Sequence, residues 1–454
     1  MALRSPVERH GSDLELDALP PSTDRAPIEE AEGRGIVSTL GSNFPGRPQV
    51  VLIKGRRGWC HAEGWRLENN LLWGVGLLEL ANAGDFAANV WNDVPVPVFV
   101  VILCAIGGTA AGVICTFAFA DSIKAWHNIQ FLRGQRAELR AARSRQLDDE
   151  QASGSSLEVL DELTKRELRT EAINRWGMDL LMGGAAVLIS IGTFMAIGGN
   201  NHRIWVASNL LSGYVGNTPV LIFGLVNAFW QVVIWKKMHH HDRAAKKKLQ
   251  GHPELALIRK RCFNVQIYSV ANGMATIMGG VGSMLTPTFW WAYIILIPVI
   301  ITSFFCNYWW RRKVGYDRPH DSTSVISSAS LIDEIRVACR AKNIVENHPG
   351  AALPHLVTEY EKPDGLLLFF ISHGLFEAFC LRLVNEKLLF PHNGDAETSQ
   401  LCIDTDCLSA LYQCHSSAFW KTGEELLRLE GPKHFRHRRR FFTELLGEHL
   451  SHSV

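Results

Sequence analysis

Apolar residues along this chain come in blocks. Five stretches carry no charged side chain over about twenty positions or more: Val98–Ala120, Leu180–Gly199, Val206–Trp235, Cys262–Leu285 and Phe289–Trp310. A helix needs roughly 20 mostly apolar residues to cross the hydrocarbon layer, where each backbone amide must find its partner within the helix. Each block therefore predicts a membrane span. A sixth stretch, Leu71–Trp91, is long enough but holds Glu79 and Asp85, each costing about 2.5–3.5 kcal/mol at a membrane centre. Hydropathy leaves it open between a span and an interfacial or re-entrant segment.

Loop charge separates those readings, because Lys and Arg near span ends stay cytoplasmic. Lys124, Arg133, Arg136, Arg140, Arg143 and Arg145 follow the first block, Lys236 to Lys248 the third, and Arg311, Arg312 and Lys313 the last. All fall on one side, while the opposite turns, GGNNHRIW around Asn200 and Thr286-Pro287, hold little charge. If Leu71–Trp91 crosses, Lys54, Arg56, Arg57 and Arg66 join the same basic side. The expectation is an all-α polytopic transmembrane bundle of six spans (71–91, 98–120, 180–199, 206–235, 262–285, 289–310), five being the alternative, with both termini cytoplasmic. A weak threefold repeat of hairpins opening on Asn70, Asn174 and Asn264 agrees with six.

Between and beyond the spans the chain divides by composition. Residues 1–48, rich in Pro, Gly, Ser and acidic side chains, have too little to bury and predict disorder. No apolar core follows Met1 within the first 30 residues, so no signal peptide is expected. Residues 49–70 read as a basic juxtamembrane segment. The 121–176 loop carries two charged helical stretches, Ile129–Arg145 and Leu157–Arg175, suited to an antiparallel hairpin or to solvated extensions of the spans. A Ser/Thr linker at 314–330 precedes helical patterns over 331–454, read as a small helical cytoplasmic domain. These cytoplasmic helices offer a surface for a protein partner, and oligomeric state is left open.

Whole-chain averages conceal the blocks: 46 Lys and Arg against 45 Asp and Glu, net charge +1, mean hydropathy +0.03. Nothing in that balance calls for nucleic acid. The ten cysteines lie in spans or on the reducing side and form no disulfide framework. Cys402, Cys407, Cys414 and His415 lack paired zinc-ligand spacing, and His239, His240 and His241 point about 100° apart on a helix. No cofactor is expected. The basic run KHFRHRRR near the C-terminus reads as a surface facing anionic lipid, as do Lys236, Lys237, Lys246, Lys247 and Lys248.

Candidate chemistry then rests on polar residues inside the membrane. Glu79, Asn82 and Asp85 share one helical face, which lipid would not tolerate. Asn217, Asn227 and Asn272 mark the fourth and fifth spans, with Pro219 placed to break the fourth. A broken helix with amides opposite carboxylates suits an ion- or proton-coupled pathway; interhelical hydrogen bonding alone needs the same residues. The run WGVGLLELANAGDFAANVWNDVPVPVF, the Gly-Gly span after it and WHNIQFLR resemble a family of integral membrane proteins of filamentous ascomycete fungi, over residues 60–320. That resemblance implies a fungal membrane protein and assigns no activity. Two functional classes follow: a non-enzymatic transport pathway or membrane scaffold, and, as the alternative, a membrane-embedded enzyme acting on a lipid or apolar metabolite.

Overall fold

The computed structural model describes residues 49–55, 58–61, 85–91, 95–147, 154–318, 326–357, 362–386, 388 and 400–452. It is almost entirely helical. In chain order the elements are strands β1 (Val50–Gly55) and β2 (Gly58–His61), then helices α1 (Phe86–Val90), α2 (Val98–Leu147), α3 (Gly154–Glu171), α4 (Met178–Ala196), α5 (His202–Ser208), α6 (Thr218–Lys248), α7 (Glu254–Leu285) and α8 (Ala292–Trp309). The C-terminal part adds α9 (Ser328–Asn347), α10 (Leu353–Leu356), α11 (Pro363–Ser372), α12 (Phe376–Asn385), strand β3 (Gln400–Ile403) and α13 (Thr405–His452). Turns of π-helix at Ala172–Gly177, Asn209–Val215 and Trp310–Val314 join α3 to α4, follow α5 and extend α8.

Four helical stretches are long and apolar enough to cross a membrane: Val98–Arg145, Ser156–Ala196, His202–Lys248 and Ala292–Val314. Helix α7, which contains the predicted span Cys262–Leu285, is long enough but diluted by Asn272, Thr276 and four glycines, so it is not among them. Most of Leu71–Trp91, with Glu79 and Asn82, lies outside the described residues. At 50 residues α2 runs about 75 Å at 1.5 Å per residue, far beyond any span. Its charged C-terminal arm is backed by α3, with Arg136 Nε donating to Asp161 at 2.8 Å and Leu139, Val159, Leu160 and Leu163 in a shared core.

Small residues set the helix contacts. Gly224 of α6 lies against the Thr276 carbonyl so closely that an added Cβ would overlap it, and a Cβ on Gly280 would meet the Leu221 backbone at 2.8 Å. Across α2 and α4, Ser190 Oγ donates to the Gly108 carbonyl at 2.7 Å, and a Cβ on Gly183 would stand 3.2 Å from that of Ala118. Gly108 and Gly112, four residues apart on α2, both face α4, against Phe194 and Ser190.

Two features depart from an all-helical chain with a separate tail. The segment read as juxtamembrane holds β1 and β2, and β1 pairs antiparallel with both β2 and β3 in the order β2-β1-β3. Alternating Val50 and Leu52 enter one core with Phe370, Phe379, Ile403, Phe419 and Phe435. In addition, α13 passes through that core into a second one. There Phe441, Leu445 and Leu446 pack with Leu163 of α3, Met238 of α6, Ile258 and Cys262 of α7, and Leu331 and Ile335 of α9. The C-terminal helices are thus built onto the charged ends of the bundle helices.

Candidate functional site at the charged end of the bundle

In the last turns of α13, Glu444 and Glu448 are four residues apart and share a helical face, beside the apolar stripe of Phe441 and Leu445. Burying that stripe carries both carboxylates inside, each side chain only 2% exposed. Such burial is tolerated only where charges and hydrogen bonds replace water, and three helices supply them. Arg166 Nη1 of α3 lies 2.6 Å from Glu444 and Arg261 Nε of α7 donates to it at 2.8 Å. From α6, Lys237 Nζ is 2.9 Å and His241 Nε2 3.3 Å from Glu448, with His452 at 3.4 Å. Burial alone would raise both carboxyl pKa values. For Glu444 the charges of Arg166, Arg261 and His241 outweigh it and hold the group well below the carboxylate range. For Glu448, His241, Arg166 and Lys237 bring it down to about 2. Both are permanent anions at neutral pH, so they clamp helices and do not exchange protons.

A cavity of about 130 Å³ adjoins the cluster. Arg166, Glu167, Arg318 and Glu444 make its polar wall, Tyr268 and Trp310 part of its apolar wall. The π-turn after α8 shapes it: Arg261 reaches the Val314 carbonyl, Arg440 donates to that of Gly315 at 2.8 Å, and Tyr316 is delivered with its hydroxyl donating to Glu167 at 2.7 Å. Burial and the Glu167 charge push the Tyr316 pKa well above its ordinary value. Arg438 and Arg440, within the run read as facing lipid, are only 8–9% exposed, and Arg438 donates to Glu334 at 2.8 Å. That reading is corrected: these arginines hold α13 to its neighbours. The signal for the acidic cluster was FFTELLGEHL, two Glu at i, i+4 amid five apolar residues.

The residues singled out from the sequence are scattered. Asp85, fully buried, accepts from the Tyr293 hydroxyl and from Asn89 Nδ2, both at 2.8 Å, where α1 meets the start of α8. Asn217 stands just before α6, donating to the carbonyls of Gly213 at 2.6 Å and Ser283 at 2.8 Å, and Pro219 lies in the first turn. Asn227 donates to Thr276 Oγ1 at 3.1 Å and accepts from Gln231 Nε2 at 3.0 Å, while Asn272 supplies a backbone carbonyl to Thr276 Oγ1 at 3.0 Å. Ten residues of helix, about 15 Å, separate Asn217 from Asn227, and Gly224 is sealed against α7 between them. The side chains of Asn217 and Asn227 thus bond across to α7, at Ser283 and Thr276.

The lysines also divide. Lys236 is exposed near the end of the apolar stretch, Lys237 turns inward to Glu448, and Lys246, Lys247 and Lys248 are exposed on the same unbroken helix. They stand roughly 17 Å or more beyond Trp235 along its axis, with Lys246 paired to Asp242. Among the described residues no group of three His, Cys, Asp or Glu converges as a metal site. Comparison with protein-family models, curated proteins and solved structures gave no match.

Proposed function

We propose that this is a six-span membrane scaffold, non-enzymatic, that holds a rigid helical surface on the cytoplasmic face. The observation that carries the reading is the buried clamp of Glu444 and Glu448 among Arg166, Arg261, Lys237 and His241. It ties α13 to three bundle helices at once, where a carrier needs helices free to rock against each other. The tight α6–α7 contact at Gly224 and Gly280 supports the same view. Pairing of β1 with β3 favours six spans and cytoplasmic termini, because chain entering and chain leaving the bundle share one core. A shared core calls for an even number of crossings, which supports six over five.

Two measurements test this. An impermeant maleimide applied to sealed cells is expected to label Asn92→Cys and spare Ser42→Cys, compared with the unsubstituted chain; external labelling at Ser42 would overturn six spans. Proteoliposomes holding the full chain are expected to leak protons no faster than protein-free ones. A sustained flux abolished by Asp85→Asn would replace the scaffold with a proton-coupled carrier built on the Asp85–Tyr293–Asn89 cluster.

A further inference from the structure

A second cavity, about 140 Å³, lies between α3 and α6 on the other side of Arg166. Its polar wall holds Lys165, Arg166, Arg169 and Lys237 against one carboxylate, Glu162. Glu162 is taken by Lys165 at 2.7 Å, and Arg166 and Lys237 face Glu444 and Glu448 behind them. Arg169, exposed, has no ion pair among the described residues. The cavity also contains Trp230, 6% exposed, whose indole Nε1 has no hydrogen-bond partner. An uncompensated guanidinium and an unused N–H are both donors, so the complement is an anionic acceptor. Buried indole N–H groups ordinarily find a partner.

Place in the fold narrows the anion. Trp230 and Lys237 bracket the end of the apolar part of α6, and its neighbours Phe229 and Val232 are 72% and 51% exposed. Trp126 and Trp176, with ring centroids 5.5 Å apart, and Trp235 each stand next to a charged end of an apolar stretch, as aromatic residues do at a membrane boundary. Val233 and Ile234 give the cavity an apolar wall, suited to ester-linked carbon beside a phosphate. We propose that this cavity binds the phosphate headgroup of an anionic phospholipid from the basic-side leaflet, its acyl chains running along Phe229 and Val232. Basic pockets between spanning helices recognise such headgroups through this combination of charge and depth. The inference needs only that α6 crosses a membrane, and it stands apart from the scaffold reading.

The test is native mass spectrometry of the full chain in detergent, titrated with phosphatidylinositol or phosphatidylcholine, with inorganic phosphate as competitor. Expected is preferential retention of phosphatidylinositol, reduced roughly 10- to 30-fold in Lys165→Gln/Arg169→Gln and several-fold in Trp230→Phe, which keeps most of the ring. Lys165 and Arg169 are not buried, so their loss leaves the core intact; Trp230→Phe serves if that pair fails to fold. Equal retention of the two lipids, or unchanged retention in the variants, overturns the proposal. Displacement of the lipid by inorganic phosphate at comparable concentration also overturns it, making the cavity a soluble-anion site.

Discussion

At Glu444 the balance of burial and charge can be read as a number. Replacing Arg261 by Met removes one of its two partners while the carboxylate stays buried, an imbalance that costs about 3–5 kcal/mol. Thermal unfolding in detergent is expected to show that loss for Arg261→Met and much less for Arg259→Met, whose side chain is 58% exposed. The pH dependence has a definite sign. Folded Glu444 and Glu448 titrate below their ordinary value of 4.5, so the unfolded chain takes up their protons first as pH falls. Their stabilisation is complete above about pH 5 and drains away toward pH 2. Glu444→Gln/Glu448→Gln is expected to flatten that acid limb, followed as melting temperature against pH; a limb as steep as the wild type would show that the carboxyls titrate normally. Both residues went unnoticed in the sequence because a Glu pair in a basic tail is ordinarily a solvated face, and only packing on Phe441 and Leu445 turns it inward.

For helices, contact distance decides. A methyl on Gly224 would meet the Thr276 carbonyl, backbone against backbone, whereas one on Gly184 would meet nothing within 4 Å. Gly224→Ala is therefore expected to lower the melting temperature by an amount equivalent to 1–3 kcal/mol or more, the usual cost of overpacking, and Gly184→Ala to leave it unchanged or slightly higher. Equal effects at the two positions would mean that α6 and α7 are not seated as described. The same packing accounts for the amides: Gln231 donates to Asn227, and Asn227 donates across the narrow seam to Thr276. Four spanning-length helices and the α2–α3 arm were legible from charge-free length and charged amphipathic spacing. The break before α6 was legible from Pro219, which lacks the N–H that a helix interior uses. What periodicity left undetermined was whether the polar faces met a cavity or a neighbouring helix.

Over the whole molecule, β1 links the two ends of the chain. Leu52, fully buried, sits among side chains from α11, α12 and α13, and Leu52→Ala is expected to cost about 2–5 kcal/mol, seen as lost amide-exchange protection in α11 and α12 while α2 and α4 stay protected. Protection lost evenly throughout would mean one cooperative unit and no local core. That the charge-free blocks would be helices was determined by the sequence alone, since such a block of about twenty residues has few other stable forms and its flanking charge marks one end as distinct. Only the tertiary structure decided that VVLIKG is a strand with its partner some 350 residues away, that Glu444 and Glu448 face inward, and that Lys165, Arg169 and Trp230 surround one cavity. Each of these depends on contacts between segments remote in sequence, and local patterns carry no record of which distant surface a face will meet.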